Sequence, residues 1–270
     1  MLPFYKYDGA GNDFVILDIR NANPDLSPST VAHLCHRRFG IGADGLMTLD
    51  VAPQPWHFKM DYYNSDGLLG SMCGNGGRCI AAFAASLGLG VVDPKTGQRS
   101  LDFLAFDGPH HAEIVLWDDV ASFGIVRLGM KDVAGDSIRR CLDGWFLDTG
   151  SPHYVQRVQD LEHFDVFTQG RRIRNIQEQF PEGTNVDFIE DLPDGRLMVR
   201  TYERGVEDET WACGTGVTAA SIVSGNRNLL TKGGDFKVDF TTNGSSYSNI
   251  RLTGPVSFNF KGEIEISDKV

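Results

Sequence analysis

The chain has 270 residues, 41% of them hydrophobic and 23% charged, which is typical of a globular enzyme with one large domain or two smaller ones. Its net charge of −11 argues against a nucleic-acid partner, because phosphate binding needs clustered Lys and Arg. No apolar run is long enough for a membrane helix, and the start lacks a secretory signal pattern, so we expect a cytoplasmic protein without a membrane partner.

The first part of the chain combines short strands with two helices. Its predicted strands are residues 4–7, 14–19 and 56–63. Ser27 followed by Pro28 is typical of a helix cap and first helical residue, and this helix is predicted to run to about Arg38 and stop at Gly40. A second helix is predicted over residues 75–88, where apolar residues recur at helical spacing.

The remainder of the chain is richer in strands. Its predicted strands are residues 111–117, 123–128, 145–148, 154–158, 185–190 and 197–202, with more strands from Phe236 onward. Helices are predicted over residues 161–167 and 215–224. Because strands dominate and helices are few, the predicted fold class is α+β.

An internal repeat is the most informative feature of the sequence. Cys73-Gly-Asn-Gly opens one predicted helix, and Cys213-Gly-Thr-Gly opens another. Each half also has an Asn before an apolar strand, Asn12 in the first and Asn185 in the second. The spacing from this Asn to the Cys is 61 residues in one half and 28 in the other, which we interpret as divergence of the loops.

The repeat predicts two related domains that divide near residue 119. The first half covers residues 1–118 and carries Cys73, and the second covers residues 119–261 and carries Cys213. A C-terminal strand, residues 262–270, can return to the first half.

A cysteine directly before a helix is in a position that favours an anion. The first N–H groups and the helix dipole can lower a thiol pKa from about 8.5 towards neutrality. The same N–H groups can bind a substrate carboxylate, and the glycines let it approach. The five cysteines are odd in number and irregularly spaced, so we expect reduced thiols rather than a disulfide framework.

Two such cysteines in related halves suggest inversion of a carbon centre. One thiolate removes a proton from one face and a thiol returns a proton to the other, which needs no cofactor. Hydrogen-bond donors must stabilise the carbanion, and such donors are each worth about 3–4 kcal/mol in acyl-transfer sites. The plainer interpretation of a lone Cys is a small buried residue. We apply that interpretation to Cys35, Cys79 and Cys141, which have no matching partner.

Three other features are weaker candidates. His110 and His111 could suggest a metal site, but neighbours on a strand face opposite ways, so a surface pair is favoured. His153 could orient a catalytic group or could equally be structural. The turn at residues 9–11 resembles part of a dinucleotide loop, but no complete glycine pattern leads into a helix there.

These motifs together resemble the diaminopimelate epimerases. The matching segments, by number, are residues 11–14, 38–45, 63–67, 72–79, 183–186, 203–205 and 212–216. They extend over most of the chain, and their combination and order are far more specific than any one of them.

The resemblance implies a fold and a reaction. The fold would have two pseudo-symmetric halves, each a curled, mostly antiparallel sheet around a central helix, with the active site in the cleft between them. The reaction would interconvert LL- and meso-diaminopimelate, in lysine and peptidoglycan precursor biosynthesis, without pyridoxal phosphate or metal. A homodimer is implied by analogy alone.

The resemblance also implies roles for particular residues. Cys73 and Cys213 would be the two acid/base groups, assisted by His153 and Glu203. The substrate ligands it implies are Asn12, Asn64, Gly74, Asn75, Asn185, Glu203, Arg204, Gly214 and Thr215. Of these, Arg204 would suit a distal carboxylate through its planar fork, and the Gly-x pairs would offer helix N-terminal amides to the reacting carboxylate.

The sequence departs from the family pattern at two positions. Ser151 stands where the family commonly has Asn, so one distal hydrogen bond would be altered or pass through water. Gly45 stands where some members have Gln, which removes one ligand. Neither change touches the two thiols.

Alternative functions remain open at this point. A proline racemase or hydroxyproline epimerase shares the two-cysteine logic, but those enzymes usually have His where this chain has Asn75. An isomerase of the phenazine-biosynthesis type lacks the paired thiols. A thiol-redox or binding protein, with the two cysteines forming a switchable disulfide, is the alternative from another class.

Overall fold

The computed structural model describes residues 1–70 and 72–266, and the chain divides into two compact units. The N-terminal unit comprises Met1–Leu128 and Pro255–Val270, and the C-terminal unit comprises Gly129–Gly254. The boundary lies later than residue 119, because the strand that begins at Phe123 pairs with the preceding strand of the N-terminal unit. Residues 267–270 of the predicted returning strand lie outside the described residues.

The N-terminal unit is built mainly from strands. They are β1 (Leu2–Gly9), β2 (Asn12–Asp18), β3 (Gly45–Asp50), β4 (Phe58–Asn64), β5 (Val91–Val92), β6 (Arg99–Ala105), β7 (Gly108–Asp118) and β8 (Phe123–Gly129). Its helices are α1 (Pro28–Cys35) and α2 (Gly74–Ser86).

The C-terminal unit has the same mixture of elements. Its strands are β9 (Arg139–Cys141), β10 (Gly144–Asp148), β11 (Pro152–Arg157), β12 (Asn185–Asp191), β13 (Leu197–Glu203), β14 (Asp208–Thr210), β15 (Asn228–Thr231) and β16 (Gly234–Asn243). Its helices are α3 (Val166–Arg174) and α4 (Gly214–Ser224), with a short 3-10 turn at Gly135–Ser137. The long strand β17 (Ser246–Ile264) begins in this unit and ends in the N-terminal one.

The strands of the N-terminal unit close into a ring around α2. Their order is β1–β2–β3–β4–β6–β7–β8–β17, and β17 pairs back onto β1. Helix α2 is buried from Gly74 through Ala84 and contacts β1, β2, β3, β4, β6 and β7, and its Gly77 lies close to Leu128 of β8. Most residues of α2 are small or apolar, which suits a buried helix, and the two buried polar side chains, Asn75 and Arg78, are hydrogen-bonded to each other.

The C-terminal unit curls a second sheet around α4. The strand order is β10–β11–β12–β13–β15–β16–β17, and α4 contacts β10, β11, β12, β13, β15 and β16. Almost every residue of α4 from Gly214 to Ile222 is buried. The predicted α+β class, with a mostly antiparallel curled sheet around a central helix in each half, is confirmed.

The order of strand pairing shows how the two halves correspond. In the N-terminal unit β1–β2 is antiparallel, β2–β3 is parallel with α1 between, and β3–β4 is antiparallel before α2. In the C-terminal unit β10–β11 is antiparallel, β11–β12 is parallel with α3 between, and β12–β13 is antiparallel before α4. Strand β12 is therefore the counterpart of β3, not of β2.

This correspondence corrects the repeat drawn from the sequence. Asn185 begins β12 and is the counterpart of Gly45, which begins β3, so the pairing of Asn185 with Asn12 was wrong. Cys73 follows Gly45 by 28 residues and Cys213 follows Asn185 by 28 residues, so the corrected spacing is the same in both halves. An Asn before an apolar strand is only a local similarity, whereas the order of strand pairing shows which strands of the two units correspond.

Two predicted helices have different bounds in the structure. Helix α1 ends at Cys35 rather than near Arg38, because His36 is extended and its Nδ1 accepts the N–H groups of Arg38 and Phe39. The helix predicted over 161–167 is displaced towards the C-terminus: residues 161–165 are not helical, and α3 runs from Val166 to Arg174. Its start is defined by Asp165, whose side chain caps the first turn by accepting the Thr168 N–H.

Candidate functional site

The cysteine turn of the N-terminal unit lies at the start of α2. Cys73 has extended backbone angles, φ −94° and ψ 127°, and its carbonyl accepts the first intrahelical hydrogen bond from Gly77 N at 2.7 Å. The amides of residues 74–76 therefore precede the hydrogen-bond ladder of the helix, where the positive end of the dipole lies. The local structure is the anion-favouring turn that the Cys-Gly-x-Gly motif predicts.

Two predicted substrate ligands of this unit lie at one end of its sheet. Asn12 begins β2 and Asn64 ends β4. Because β2 and β3 are parallel and β3 and β4 are antiparallel, both positions fall at the end of the sheet where Gly45 begins β3. Asn64 is exposed there.

Asn12 is held in one amide orientation beside the first cysteine. Its Nδ2 donates to Asp44 Oδ2 at 2.7 Å, which leaves Oδ1 to accept from the Cys73 thiol at 3.6 Å. The side chain of Asn75 also donates to this oxygen at 3.4 Å. Three predicted site residues are thus brought together, and Asp44 decides which end of the Asn12 amide faces the thiol.

A charge cluster behind Asn12 was not identified from the sequence as part of the site. Asp13 forms ion pairs with Lys6 at 2.6 Å and Arg37 at 2.8 Å, and Arg37 also pairs with Asp44 at 2.6 Å. Burial opposes ionisation of Asp13, but hydrogen bonds and charge from these two cations hold its pKa well below the usual range. The sequence signals were the motifs at residues 11–14 and 38–45, which contain Asp13 and Asp44.

A buried cation supports the first turn of α2. Arg78 is fully buried, and its guanidinium donates to Gly74 O at 3.2 Å and to Asn75 Oδ1 at 2.9 Å. Burial lowers the pKa of Arg78 to about 10, while negative charge at Cys79 and Cys73 acts to raise it. The sequence analysis missed this residue, although it belongs to the quoted motif at 72–79.

The cysteine turn of the C-terminal unit has the same backbone form. Cys213 is extended, φ −111° and ψ 114°, and its carbonyl accepts from Val217 N at 2.9 Å. Burial, followed by the charges of Glu203 and Asp187, raises the pKa of its thiol well above the ordinary value, against hydrogen bonds that lower it. The expected fall in pKa at a helix N-terminus is therefore wrong for Cys213, because desolvation and two carboxylates outweigh the turn.

His153 lies behind the second cysteine and is completely buried. Its Nδ1 lies 2.6 Å from Asp187 Oδ2, and its Nε2 lies 2.9 Å from Thr215 Oγ1. Thr215 Oγ1 is in turn 3.3 Å from Cys213 Sγ. His153 thus reaches the thiol through Thr215, and Asp187, which the sequence analysis did not select, is its buried partner.

The other predicted ligands of this unit cluster at the same end of its sheet. Asn185 accepts the backbone N–H of Arg204 at 2.8 Å and donates to Pro152 O at 2.9 Å. The Arg204 guanidinium donates to Glu182 O at 3.0 Å. Glu203 ends β13 and is partly buried, and its charge acts on Cys213.

The two departures from the family pattern have clear structural settings. Ser151 Oγ lies 3.0 Å from His153 Nε2 and 3.1 Å from Thr215 Oγ1, so it belongs to the network behind Cys213. At Gly45 a Cβ would lie 2.5 Å from a ring carbon of Tyr62. A larger residue there would require Tyr62 to move.

Cys35, Cys79, His110 and His111 have surroundings that differ from those of the two cysteine turns. Burial raises the pKa of Cys35 to about 12 and that of Cys79 well above the ordinary value, and both thiols are buried. His110 pairs with Asp107, whereas His111 pairs with Asp102. Over residues 1–70 and 72–266, no group of three or more His, Cys, Asp or Glu is arranged to hold a metal ion. Across the same residues no helix has the length and hydropathy to span a bilayer.

The duplicated cysteine turns, together with the family and the relatives that the chain matches, identify the protein as an isomerase of the amino-acid epimerase class. The fold of this chain is similar to that of a probable proline racemase from Agrobacterium radiobacter. The TM-score is 0.72 at 14% identity, and the match covers 100% of this chain and 94% of that one.

The particular family follows from sequence comparison. The family model of diaminopimelate epimerase matches residues 4–100 and 145–259. The chain is 42% identical to the diaminopimelate epimerase of Flavobacterium psychrophilum, over 97% of this chain and 100% of that protein. It is also 42% identical to the Chlorobaculum tepidum enzyme, over 80% of each chain. The chain belongs to the diaminopimelate epimerase family.

Proposed function

We propose that this protein interconverts LL- and meso-diaminopimelate by moving the α-proton between Cys73 and Cys213. The observation that carries the proposal is the duplicated turn: each half places a cysteine at the N-cap of a buried central helix. The family match over most of the chain supports this substrate.

The proposed reaction uses the two thiols in opposite protonation states. In one direction the Cys73 thiolate removes the α-proton from one face of the substrate carbon, and the Cys213 thiol delivers its proton to the other face. The roles reverse in the other direction. The raised pKa of Cys213 supports its role as the acid, because a thiol with a raised pKa keeps its proton near neutral pH.

The helix N-termini are proposed to stabilise the carbanion. Charge that develops on the reacting carboxylate would be met by the amides of Gly74–Asn75 and Gly214–Thr215, which precede the hydrogen-bond ladders of α2 and α4. Donors already fixed by a helix need no reorganisation during the reaction, which favours the transition state over the bound substrate.

The distal end of the substrate is assigned to polar side chains. We propose Asn12, Asn64 and Asn185 as hydrogen-bonding ligands of the distal amino-acid group and Arg204 as the ligand of its carboxylate. Glu203 is proposed to bind the substrate ammonium or to tune the second thiol, and His153 to assist catalysis. Contacts at the second turn support these assignments, because Arg204 and Asn185 are joined through the Arg204 N–H.

The test is deuterium exchange at the α-carbon of diaminopimelate in heavy water under reducing conditions. The wild type is expected to incorporate deuterium and to interconvert the isomers, whereas Cys73→Ala and Cys213→Ala each lose both activities. Cys141→Ala is the matched control, because Cys141 is a partly buried thiol on β9 outside both turns. Retained exchange in both single variants would contradict the two-thiol proposal.

Proline and hydroxyproline in the same assay address the alternative function. A proline racemase would exchange proline, whereas an enzyme with ligands for a distal amino-acid group should not. Asn75, where the proline enzymes usually have His, favours diaminopimelate. We further propose a cytoplasmic location and a homodimer, the latter measurable by light scattering after size-exclusion chromatography.

A further inference from the structure

A chain of buried polar side chains leads away from Cys213 into the C-terminal unit. It runs from Cys213 Sγ to Thr215 Oγ1 at 3.3 Å, from there to His153 Nε2 at 2.9 Å, and from His153 Nδ1 to Asp187 Oδ2 at 2.6 Å. His153 and Asp187 have no exposed surface. Burying a carboxylate is costly unless it is hydrogen-bonded, so the bonds that hold Asp187 are part of the structure of the site.

The surroundings of His153 define which ring nitrogen carries the proton. The carboxylate of Asp187 can only accept, so Nδ1 is the protonated nitrogen. Independently, the amide of Asn185 presents Nδ2 to the other nitrogen at 3.4 Å, and backbone contacts with Pro152 O and the Arg204 N–H fix that amide orientation. An N–H group directed at Nε2 is compatible only with an unprotonated Nε2.

Hydroxyl groups complete the surroundings of Nε2. Thr215 and Ser151 lie within hydrogen-bond distance of Nε2 and of each other. An unprotonated Nε2 can accept a hydrogen bond from either hydroxyl. Either atom of the 3.3 Å contact between Thr215 Oγ1 and Cys213 Sγ can be the donor. Burial and the buried charge of Asp187 act to raise the pKa of Cys213, whereas this hydrogen bond acts to lower it.

The position of Asp187 is itself tightly defined. Its Oδ1 accepts the hydroxyl of Thr201 at 2.7 Å, which leaves Oδ2 for His153. The first turn of α4 packs directly on this carboxylate, because a Cβ added to Gly216 would lie 2.3 Å from Oδ1. Glycine is therefore required at Gly216 by the close approach of Asp187.

We propose that Asp187 is a positioning residue of the epimerase, which holds His153 in the tautomer with a free Nε2 that accepts from the hydroxyls beside Cys213, and whose buried negative charge favours the thiol form of Cys213. This inference rests on the proposed function for its catalytic meaning, but its structural content can be measured without substrate. The other charged group facing Cys213 is Glu203 on β13, and the Gly216 N–H faces it from α4.

The first test is the tautomer of His153 in the wild type. Long-range proton–nitrogen spectra of protein labelled with nitrogen-15 histidine, assigned with His153→Gln, should show the proton on Nδ1 and an unprotonated Nε2 at pH 7. A proton on Nε2 would overturn the proposal. This measurement needs no variant of Asp187, so it remains decisive if such a variant fails to fold.

The second test is Asp187→Asn, which has the same shape without the charge. The pH midpoint of Cys213 alkylation by iodoacetamide, followed by peptide mass spectrometry, should fall by about one unit, while that of Cys73 stays in place. The kcat should fall about tenfold or more with a much smaller change in KM, since a residue behind a catalytic group acts mainly on turnover.

Thr201→Val is the matched control for the second test. It removes the other hydrogen bond to the same buried carboxylate and leaves the bond to His153, so the midpoint and kcat should stay close to wild type. Equal effects of both substitutions, or an unchanged midpoint in Asp187→Asn, would overturn the proposal. If wild-type protein shows the expected tautomer and midpoint but no exchange of diaminopimelate, the proposed function fails and the positioning role of Asp187 stands.

Discussion

The two cysteine turns share one backbone form but differ in the charges buried behind them. Arg78 follows Cys73 by five residues and donates to the first turn of α2, whereas Thr218 holds the same place after Cys213. Behind Cys213 lies instead the carboxylate of Asp187. A cation is attracted to a thiolate and an anion opposes one, so a duplicated backbone can support a base in one half and an acid in the other.

The largest expected effect comes from replacing sulfur by oxygen. Cys73→Ser and Cys213→Ser should each reduce epimerisation by about 10³-fold or more, because a hydroxyl is a far weaker acid than a thiol and cannot exchange protons with a carbon acid near neutral pH. Turnover in both directions measures the effect. Activity close to that of the wild type in either variant would contradict the proposal that the two turns supply matched acid/base groups.

A smaller effect is expected from the charge behind the first cysteine. Arg78→Met should move the pH midpoint of Cys73 alkylation upward and reduce kcat/KM by about 10–100-fold, since a buried charge near an ionising group shifts its pKa by one or more units. Arg78→Lys keeps the charge and is the control for lost packing. If both variants behave alike, the hydrogen bonds of Arg78 matter and its charge does not.

A milder change should follow from loosening Asn12. Its amide is fixed by the side chain of Asp44, whereas Asn185 is fixed by backbone groups. Asp44→Asn keeps an acceptor oxygen but removes the charge that Asn12 and Arg37 share, and a neutral hydrogen bond is weaker than a charge-assisted one by about 1 kcal/mol, so KM for diaminopimelate should rise about threefold to tenfold. Asp50→Asn, at the other end of β3, is the control and should leave KM unchanged.

The smallest effect is the alkaline loss of stability attributable to Cys213. Its pKa is raised in the folded protein, so the folded state binds this proton more tightly than the unfolded chain. The resulting stability is present below the unfolded thiol pKa of about 8.5 and declines above it by up to about 1.4 kcal/mol per pH unit. Denaturant unfolding between pH 8 and pH 10 should show a shallower decline in Cys213→Ala than in wild type. If the free energy of unfolding declined with pH equally in both proteins, the pKa of Cys213 would not be raised by folding.

Local signals in the sequence predicted much of the fold. The helix after each cysteine, most strands and the α+β class follow from small-residue helices and alternating apolar residues. The turn at Ser27 and Pro28 marked the start of α1 correctly, but its end depended on His36, whose ring accepts two backbone N–H groups. Pattern alone does not show when a side chain will replace a helical hydrogen bond.

The candidate site was predictable where chemistry lies within a motif and not where it arises between strands. Cys73 with Asn75, and Cys213 with Thr215, are close in sequence. Asp187 reaches His153 because β11 and β12 are parallel neighbours, a pairing that the Asn-based repeat did not reveal. The same pairing showed that Asn185 corresponds to Gly45.

The sequence by itself determined the two thiol-bearing turns, because a cysteine followed by glycines at a helix start is a local arrangement of backbone donors. Only the tertiary structure decided the environment of each turn. The buried guanidinium of Arg78 and the buried carboxylate of Asp187 act through distance and desolvation, and both depend on which strands and helices pack together. For that reason the pKa of Cys213 rises where the local motif predicted a fall.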